Sequence, residues 1–286
     1  MPVDPEKVKK LREMTDLPMM DCKRALDKTD GDIDKAFDEL RKGGLKAQEK
    51  LAGRAANEGK IGGFVSPDGK MGVLVALRCE TEPVGKNENF QRFLKEVVEV
   101  VAKTNPKDRA ALEAAQLASG KTVAQGLTEL VNLIRENITL GRFARFESDA
   151  VVQYIHFDGK KAGMVALQGA PVSNPKVAEV GKELGMQIVF SPPASLDRAG
   201  LDPAIVAKER EVFLARVKND PKNSSKPPQI LDKIVEGQLN EFVASKSLLD
   251  QVSIRDSKQT VTQFVKSSGA GVSVKAFAYV ATDIEK

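Results

Sequence analysis

A repeated hairpin pattern limits the fold of this chain more than any other feature of its sequence. The tripeptide Asp-Gly-Lys occurs at 68–70 and again at 158–160, and Val-Ala-Leu occurs at 75–77 and again at 165–167, so both recur at an offset of 90 residues. An Asp-Gly pair between two apolar segments is a strong signal for a β-hairpin. Each copy predicts a strand, a tight turn and a second strand, and two related units predict a duplicated core.

Helical segments complete each predicted unit. Segments of helical composition follow the two hairpins at 88–103 and 174–185, and the Ala-rich segment 108–140 also predicts helix. Near the C-terminus, 260–266 predicts a short helix and the alternating segment 272–280 predicts a strand. The expected fold class is α+β.

Residues 4–44 predict a compact unit of three short helices. Asp4 and Pro5 are typical of a helix start, Pro18 begins the second helix, and the pair at 43–44, Gly-Gly, is expected to end the third. The apolar stripes of the three helices are Val8 and Leu11; Met19, Cys22 and Leu26; and Ile33, Ala36, Phe37 and Leu40. This pattern resembles ubiquitin-associated domains and predicts a docking module, which a basic, polar linker at about 45–58 follows.

The segment 203–243 allows two interpretations. Apolar residues repeat at helical spacing on either side of a Pro- and Ser-rich breaker at 219–228. The pair predicts either an antiparallel helical hairpin that projects from the core or two ordinary core helices.

Composition excludes several classes of protein. Two cysteines far apart, Cys22 and Cys79, argue against a disulfide framework and fit a reducing cytoplasm. One histidine and no tryptophan are present, so a His-rich zinc site is impossible. No signal or transit segment begins the chain, and no apolar run reaches the roughly 20 residues of a membrane span. No spacing indicates a catalytic constellation, so no catalytic residue, metal or cofactor is expected.

Two features could suggest nucleotide or nucleic-acid binding. Residues 115–122, AQLASGKT, match a relaxed phosphate-loop pattern, but the residues before them predict helix, whereas a phosphate loop follows a buried strand. The net charge of +4 is a small excess without a basic stripe. Helix and a solvated surface are therefore the preferred interpretations, and direct nucleic-acid binding is not expected.

Three separated motifs resemble the elongation factor Ts family. The segment 11–26, LREMTDLPMMDCKRAL, is similar to the N-terminal signature of the family, and 79–86, CETEPVGK, to its Cys-Glu-Thr-Asp-Phe-Val-Ala-Lys loop. The segment 226–251, with IVEGQLNEF and LLDQ, resembles the end of the helical hairpin and its return to the core. Because the order of parts also matches, the resemblance covers essentially the whole chain.

The resemblance implies a guanine nucleotide exchange factor that acts on elongation factor Tu without covalent chemistry. In this family, a surface loop disturbs the Mg²⁺-phosphate site of elongation factor Tu and so promotes release of GDP. The matching residues here are Thr81, Glu82, Pro83 and Val84. An RNA-binding module, or another docking module without exchange activity, is the alternative.

The resemblance also implies partner contacts outside the loop. Met19 and Met20 match a docking pair of the family, and Met20 is the better candidate because it lies off the apolar stripe. Lys23, on the same helix, is either a contact or a solvated side chain. His156 matches a Tyr-x-His strand and is either a contact or a structural residue, and Ile254 matches an apolar contact position within a divergent segment.

The loop departs from the family pattern at three positions. Glu82 replaces aspartate and adds a methylene, Pro83 replaces a wedging phenylalanine, and Gly85 replaces alanine. The cysteines within the two signatures are interpreted as small buried apolar residues. The expected domains are a docking domain at 1–44, a linker at 45–58, a first core subdomain at 59–148, a second at 149–202 and 244–270, the helical hairpin at 203–243, and a C-terminal strand and tail at 271–286.

Overall fold

The computed structural model describes residues 3–15, 17–220, 222 and 226–283. In them, helices surround two three-stranded antiparallel sheets, which confirms the α+β class. In chain order the elements are α1 (Pro5–Thr15), α2 (Met19–Lys28), α3 (Ile33–Leu51), β1 (Glu58–Val65), β2 (Met71–Cys79), α4 (Glu82–Gly85), α5 (Glu88–Thr104), α6 (Arg109–Ala114), α7 (Val123–Ile134), β3 (Thr139–Glu147), β4 (Ala150–Ile155), β5 (Lys161–Gln168), α8 (Pro175–Phe190), α9 (Pro203–Asn219), α10 (Pro228–Lys246), α11 (Val261–Ser267) and β6 (Ser273–Ala281).

Both predicted hairpins are present, and each sheet gains a third strand. β1 and β2 form the first hairpin and β4 and β5 the second, while β3 pairs with β2 and β6 pairs with β5. The helices predicted after the hairpins are α5 and α8. β6 matches the predicted C-terminal strand, and its pairing places that strand in the second sheet.

The two sheets pack face to face, with helices on their outer surfaces. Central strands β2 and β5 are buried on both sides, which explains why both read as continuous apolar runs. Side chains between the sheets include Leu74, Ala76, Val151 and Met164. The opposite face of β2 packs against α5 and α7, and that of β5 packs against α8 and α11.

The turn of each hairpin is hydrogen-bonded to a strand of the other sheet. The backbone N–H of Ile61, in β1, donates to the carbonyl oxygen of Gly159 at 2.8 Å. The N–H of Val151, in β4, donates to the carbonyl oxygen of Gly69 at 2.7 Å. The two donors are 90 residues apart, and so are the two acceptors. The contact between the halves therefore repeats at the same offset as the sequence motifs.

The N-terminal helices pack around a core that includes Leu11, Cys22 and Leu26. Two details of the prediction were wrong. Met19 is 55% exposed because α2 begins at this residue, and the buried stripe of α2 starts at Cys22. Helix α3 continues through Gly44 to Leu51, so its last two turns occupy part of the predicted linker.

The predicted helix over 108–140 is interrupted. α6 ends at Ala114, a turn containing Gly120 follows, and α7 begins at Val123. Residues from Thr139 onward belong to strand β3, so the prediction was wrong there. A helix, α6, precedes the phosphate-loop-like pattern, as its sequence indicated.

Helices α9 and α10 pack against each other around a small cluster of their own. Its buried members are Phe213, Val217, Val235 and Leu239. The predicted breaker at 219–228 lies partly outside the described residues, as does the end of the C-terminal tail. Within the described ranges, no helix combines the length and apolar character needed to cross a membrane.

Candidate functional site

The loop with the predicted exchange residues forms a short helix at the end of β2. Thr81 is extended and precedes α4, and Pro83 lies in its first turn, where a missing N–H costs nothing. Asn87 then caps α5 by accepting from two backbone N–H groups. Thr81, Glu82 and Pro83 are exposed, whereas Val84 is half-buried. The structure therefore presents the predicted loop at the surface.

Glu136, just after α7, holds the start of this loop in place. Its carboxylate accepts from the backbone N–H groups of Glu80 (3.2 Å) and Thr81 (3.1 Å) and from the Thr81 hydroxyl (2.6 Å). The carboxylate of Glu80 in turn accepts from the N–H of Asn137 at 2.6 Å. Sequence reasoning missed Glu136, because these bonds join segments about 55 residues apart and no local pattern marks them.

Cys79 lies beneath the loop as a buried thiol. Its Sγ contacts the carbonyl oxygen of Thr81 at 3.2 Å. Burial, assisted by the negative charge of Glu136, raises the pKa of Cys79 to about 12. The thiol is protonated at neutral pH, so its nucleophilicity is negligible there. Together with the burial of Cys22, this agrees with the interpretation of both cysteines as small buried residues.

Glu82 carries an exposed negative charge beside three lysines. Its carboxylate pairs with Lys86 at 2.9 Å, one helical turn away. The hydrogen bond and charge of Lys86, and then the charges of Lys160 and Lys60, hold the pKa of Glu82 below its ordinary value. Glu82 is therefore ionised at neutral pH and can act on a neighbouring charge.

In the described part of the chain, no group of three or more His, Cys, Asp or Glu side chains could hold a metal ion.

The predicted docking residues of α2 connect to the same loop through a short chain of contacts. Met19 and Met20 are 55% and 60% exposed, and Lys23 is exposed as well. Asp21, beside Met20, pairs with Arg135 at 2.8 Å. Arg135 directly precedes Glu136, which holds Thr81. These contacts bring α2 and the loop to one region of the surface.

His156 begins the turn of the second hairpin. Its Nδ1 lies 3.1 Å from the Tyr154 hydroxyl, and its ring lies 4.5 Å from that of Phe157, measured between centroids. The side chain is half-buried, so it has a structural partner and an accessible surface at once. The geometry is compatible with both roles that the sequence left open.

Ile254 lies on the helical side of the second sheet. It is 40% exposed, and its N–H donates to the side-chain oxygen of Gln187 in α8 at 2.8 Å. Strand β4 and α8 run in the same direction, since Gly181 packs on Val152 and Gly185 packs on Tyr154. Ile254 and His156 therefore both lie toward the C-terminal end of α8.

Comparisons with known proteins identify the family of this chain. A family profile described as "Elongation factor TS" matches residues 80–283. Elongation factor Ts of Desulfovibrio desulfuricans is 39% identical over 272 residues, which cover 93% of this chain and 91% of the relative. The protein of that name from Azoarcus sp. is 39% identical over 281 residues, covering 98% and 91%. The extent of these matches shows that the chain belongs to the elongation factor Ts family.

Proposed function

We propose that this protein is a guanine nucleotide exchange factor for elongation factor Tu and acts in translation elongation in the cytoplasm. Family membership is the observation that carries the proposal. The exposed loop of Thr81, Glu82, Pro83 and Val84 supports it, because an exchange factor must reach the nucleotide site of a partner protein. The function needs no cofactor and no covalent step.

The loop acts on the Mg²⁺-phosphate site of the partner. Mg²⁺ bridges phosphate oxygens to the protein in nucleotide-binding sites, so a disturbance of its coordination weakens GDP binding. Glu82 supplies the carboxylate, and Glu136 fixes the loop so that little ordering cost remains on binding. Linkage requires that GDP weakens binding of this protein by the same factor.

Further contacts strengthen the hold on the partner without acting on the metal. Met19 and Met20 are exposed, and methionine adapts well to an interface. Lys23, His156 and Ile254 complete the proposed contact set.

The proposal includes the organisation of the chain. A ubiquitin-associated-like docking domain, predicted at 1–44, has a last helix that extends to Leu51 and so shortens the linker predicted at 45–58. Both lead into a duplicated core, with its first subdomain at 59–148. The second subdomain comprises 149–202 and 244–270, the helical hairpin at 203–243 is inserted in it, and 271–286 form the C-terminal strand and tail. The reciprocal bonds of Gly69 and Gly159 support the duplication.

Release of a fluorescent GDP analogue from bacterial elongation factor Tu tests the activity. In stopped-flow measurements, substoichiometric amounts of this protein are expected to accelerate release. A release rate independent of added protein would overturn the proposal. If bulk RNA instead bound with a steep salt dependence, the RNA-binding alternative would replace it.

Glu82→Ala tests the mechanism. We expect this variant to slow exchange more than it weakens binding to nucleotide-free partner, because the loop acts on the nucleotide-bound state. Glu211→Ala, at an exposed position on α9, is the matched control and should change neither quantity. Equal losses in exchange and affinity would mean that the loop only docks, and no loss in either would mean that another segment displaces the metal.

A further inference from the structure

Phe157 is the most exposed large apolar side chain of the second hairpin. It is 92% exposed, although neighbouring residues of the turn are only partly exposed. A single exposed apolar residue is common in soluble proteins and by itself indicates nothing. The surroundings of Phe157 give it a more specific meaning.

The turn that carries Phe157 is held rigidly. The N–H of Gly159 donates to the carbonyl oxygen of His156 at 2.8 Å, and the N–H of His156 donates to that of Lys161 at 2.8 Å. Lys60 Nζ donates to the carbonyl oxygen of Asp158. Because the backbone is already ordered, an aromatic ring presented here loses little conformational entropy on binding.

The turn also lies beside the loop of the proposed exchange site. Lys60 contacts Asp158 and packs within 3.4 Å of the position that a Cβ of Gly85 would occupy, so one side chain touches both the turn and α4. The charges of Lys60 and Lys160 act on Glu82 in α4. Phe157 is therefore continuous with the proposed partner surface.

We infer that Phe157 is an anchor residue that inserts its ring into an apolar pocket on elongation factor Tu, next to the site of the 81–84 loop. This inference rests on the proposed function and adds a contact to it. The neighbouring His156 ring supports the Phe157 ring from one side. Large aromatic side chains in such positions provide much of the affinity of protein interfaces.

The affinity of nucleotide-free elongation factor Tu for a set of variants tests the inference. Phe157→Ser is expected to raise the Kd by about 10- to 100-fold, the value for loss of one buried phenylalanine. Phe157→Leu should retain most of the affinity, because it keeps an apolar side chain. Pro67→Ser, at the equivalent exposed position of the first turn, is the matched control and should change the Kd by less than about twofold. Thermal unfolding should be unchanged in both Phe157 variants and only slightly lowered in Pro67→Ser, which loses the proline of its turn.

The outcomes separate this inference from the proposed function. If the unmodified protein binds and accelerates GDP release while Phe157→Ser behaves like Pro67→Ser, the anchor is wrong and the exchange function stands. If the unmodified protein does not bind elongation factor Tu, both are wrong. If Phe157→Ser dissociates a self-associated form of this chain in analytical ultracentrifugation and leaves the Kd unchanged, the ring contacts a second copy instead, which also overturns the inference.

Discussion

The two hairpin turns have the same backbone conformation but different surroundings. Gly69 and Gly159 have φ values of 69° and 70°, and each turn is closed by the same pair of backbone hydrogen bonds. The first turn is covered by the loop after β5, since a Cβ at Gly69 would lie 2.1 Å from Val172. The second turn lies beside α4 and carries the exposed Phe157.

The first position of each turn shows the difference between them. In the first turn this position, two residues before Asp68, is Ser66, whose hydroxyl donates to Asp68 and accepts from the N–H of Met71 at 2.9 Å. The second turn has His156 at the equivalent position. The first turn satisfies its own polar groups, whereas the second places two rings at the surface.

The largest expected effect compares the cores of the two halves. Leu77 and Leu167 are equivalent in the repeat and fully buried. Leu77→Ala and Leu167→Ala should each lower the free energy of unfolding by about 2–5 kcal/mol, through lost apolar contacts and a cavity. Urea denaturation measures both. Leu45→Ala, at an exposed position, is the control and should cost less than about 0.5 kcal/mol. A difference above about 2 kcal/mol between the buried pair would show that the halves are not equally packed.

The next largest expected effect is a difference in stability between substitutions of the two turn glycines. Gly69→Ala is expected to cost about 2–4 kcal/mol, because strain at positive φ adds to a clash with Val172. Gly159→Ala should cost only about 1–2 kcal/mol, since its new Cβ meets the flexible side chain of Lys60. Equal losses in denaturant melts would contradict the view that Gly69 is enclosed more tightly than Gly159.

Substitution of Ser66 should mainly affect stability, whereas substitution of His156 should mainly affect binding. Ser66→Ala removes two hydrogen bonds and should lower stability by about 1 kcal/mol without a change in affinity for elongation factor Tu. His156→Ala should cost less than about 0.5 kcal/mol in stability and raise the Kd about fivefold. Calorimetry measures both quantities. A loss of stability with intact binding in His156→Ala would assign this histidine a structural role.

The smallest effect concerns the charge of Glu82. Because its pKa is lowered in the folded state, its stabilising contribution is present above the unfolded pKa and is lost as pH falls through the folded pKa. Lys86→Met should raise this pKa most, and Lys160→Met should raise it less. Lys70→Met, at the position equivalent to Lys160, should leave it unchanged and raise the pKa of Asp68 instead. Carbon-detected NMR titration of the carboxyl groups reads both. An equal response of Glu82 to Lys70 and Lys160 would refute the placement of the second turn beside α4.

Local signals predicted most elements, and long-range packing decided the rest. The Asp-Gly turns and the helices after them follow from short patterns. α3 continues across Gly44, which packs against Thr128 and Asn132 of α7, and this tertiary contact overrides the low helix propensity of glycine. The exposed loop residues followed from a motif, but the bonds of Glu136 to Thr81 depend on the folded chain alone.

The pairing of β5 with β6 has a consequence for synthesis of the chain. In the first sheet, β2 meets β3 after about 60 residues, since Arg78 pairs with Thr139. In the second sheet, Gln168 pairs with Ser273, 105 residues later. At about 5–20 residues per second, a ribosome needs about 5–20 s to make the intervening chain. During that time one edge of β5 has no strand to pair with, and nascent chains exposing such an edge associate readily. The first sheet can close early, whereas the second cannot close until residues about 105 positions further along the chain have emerged.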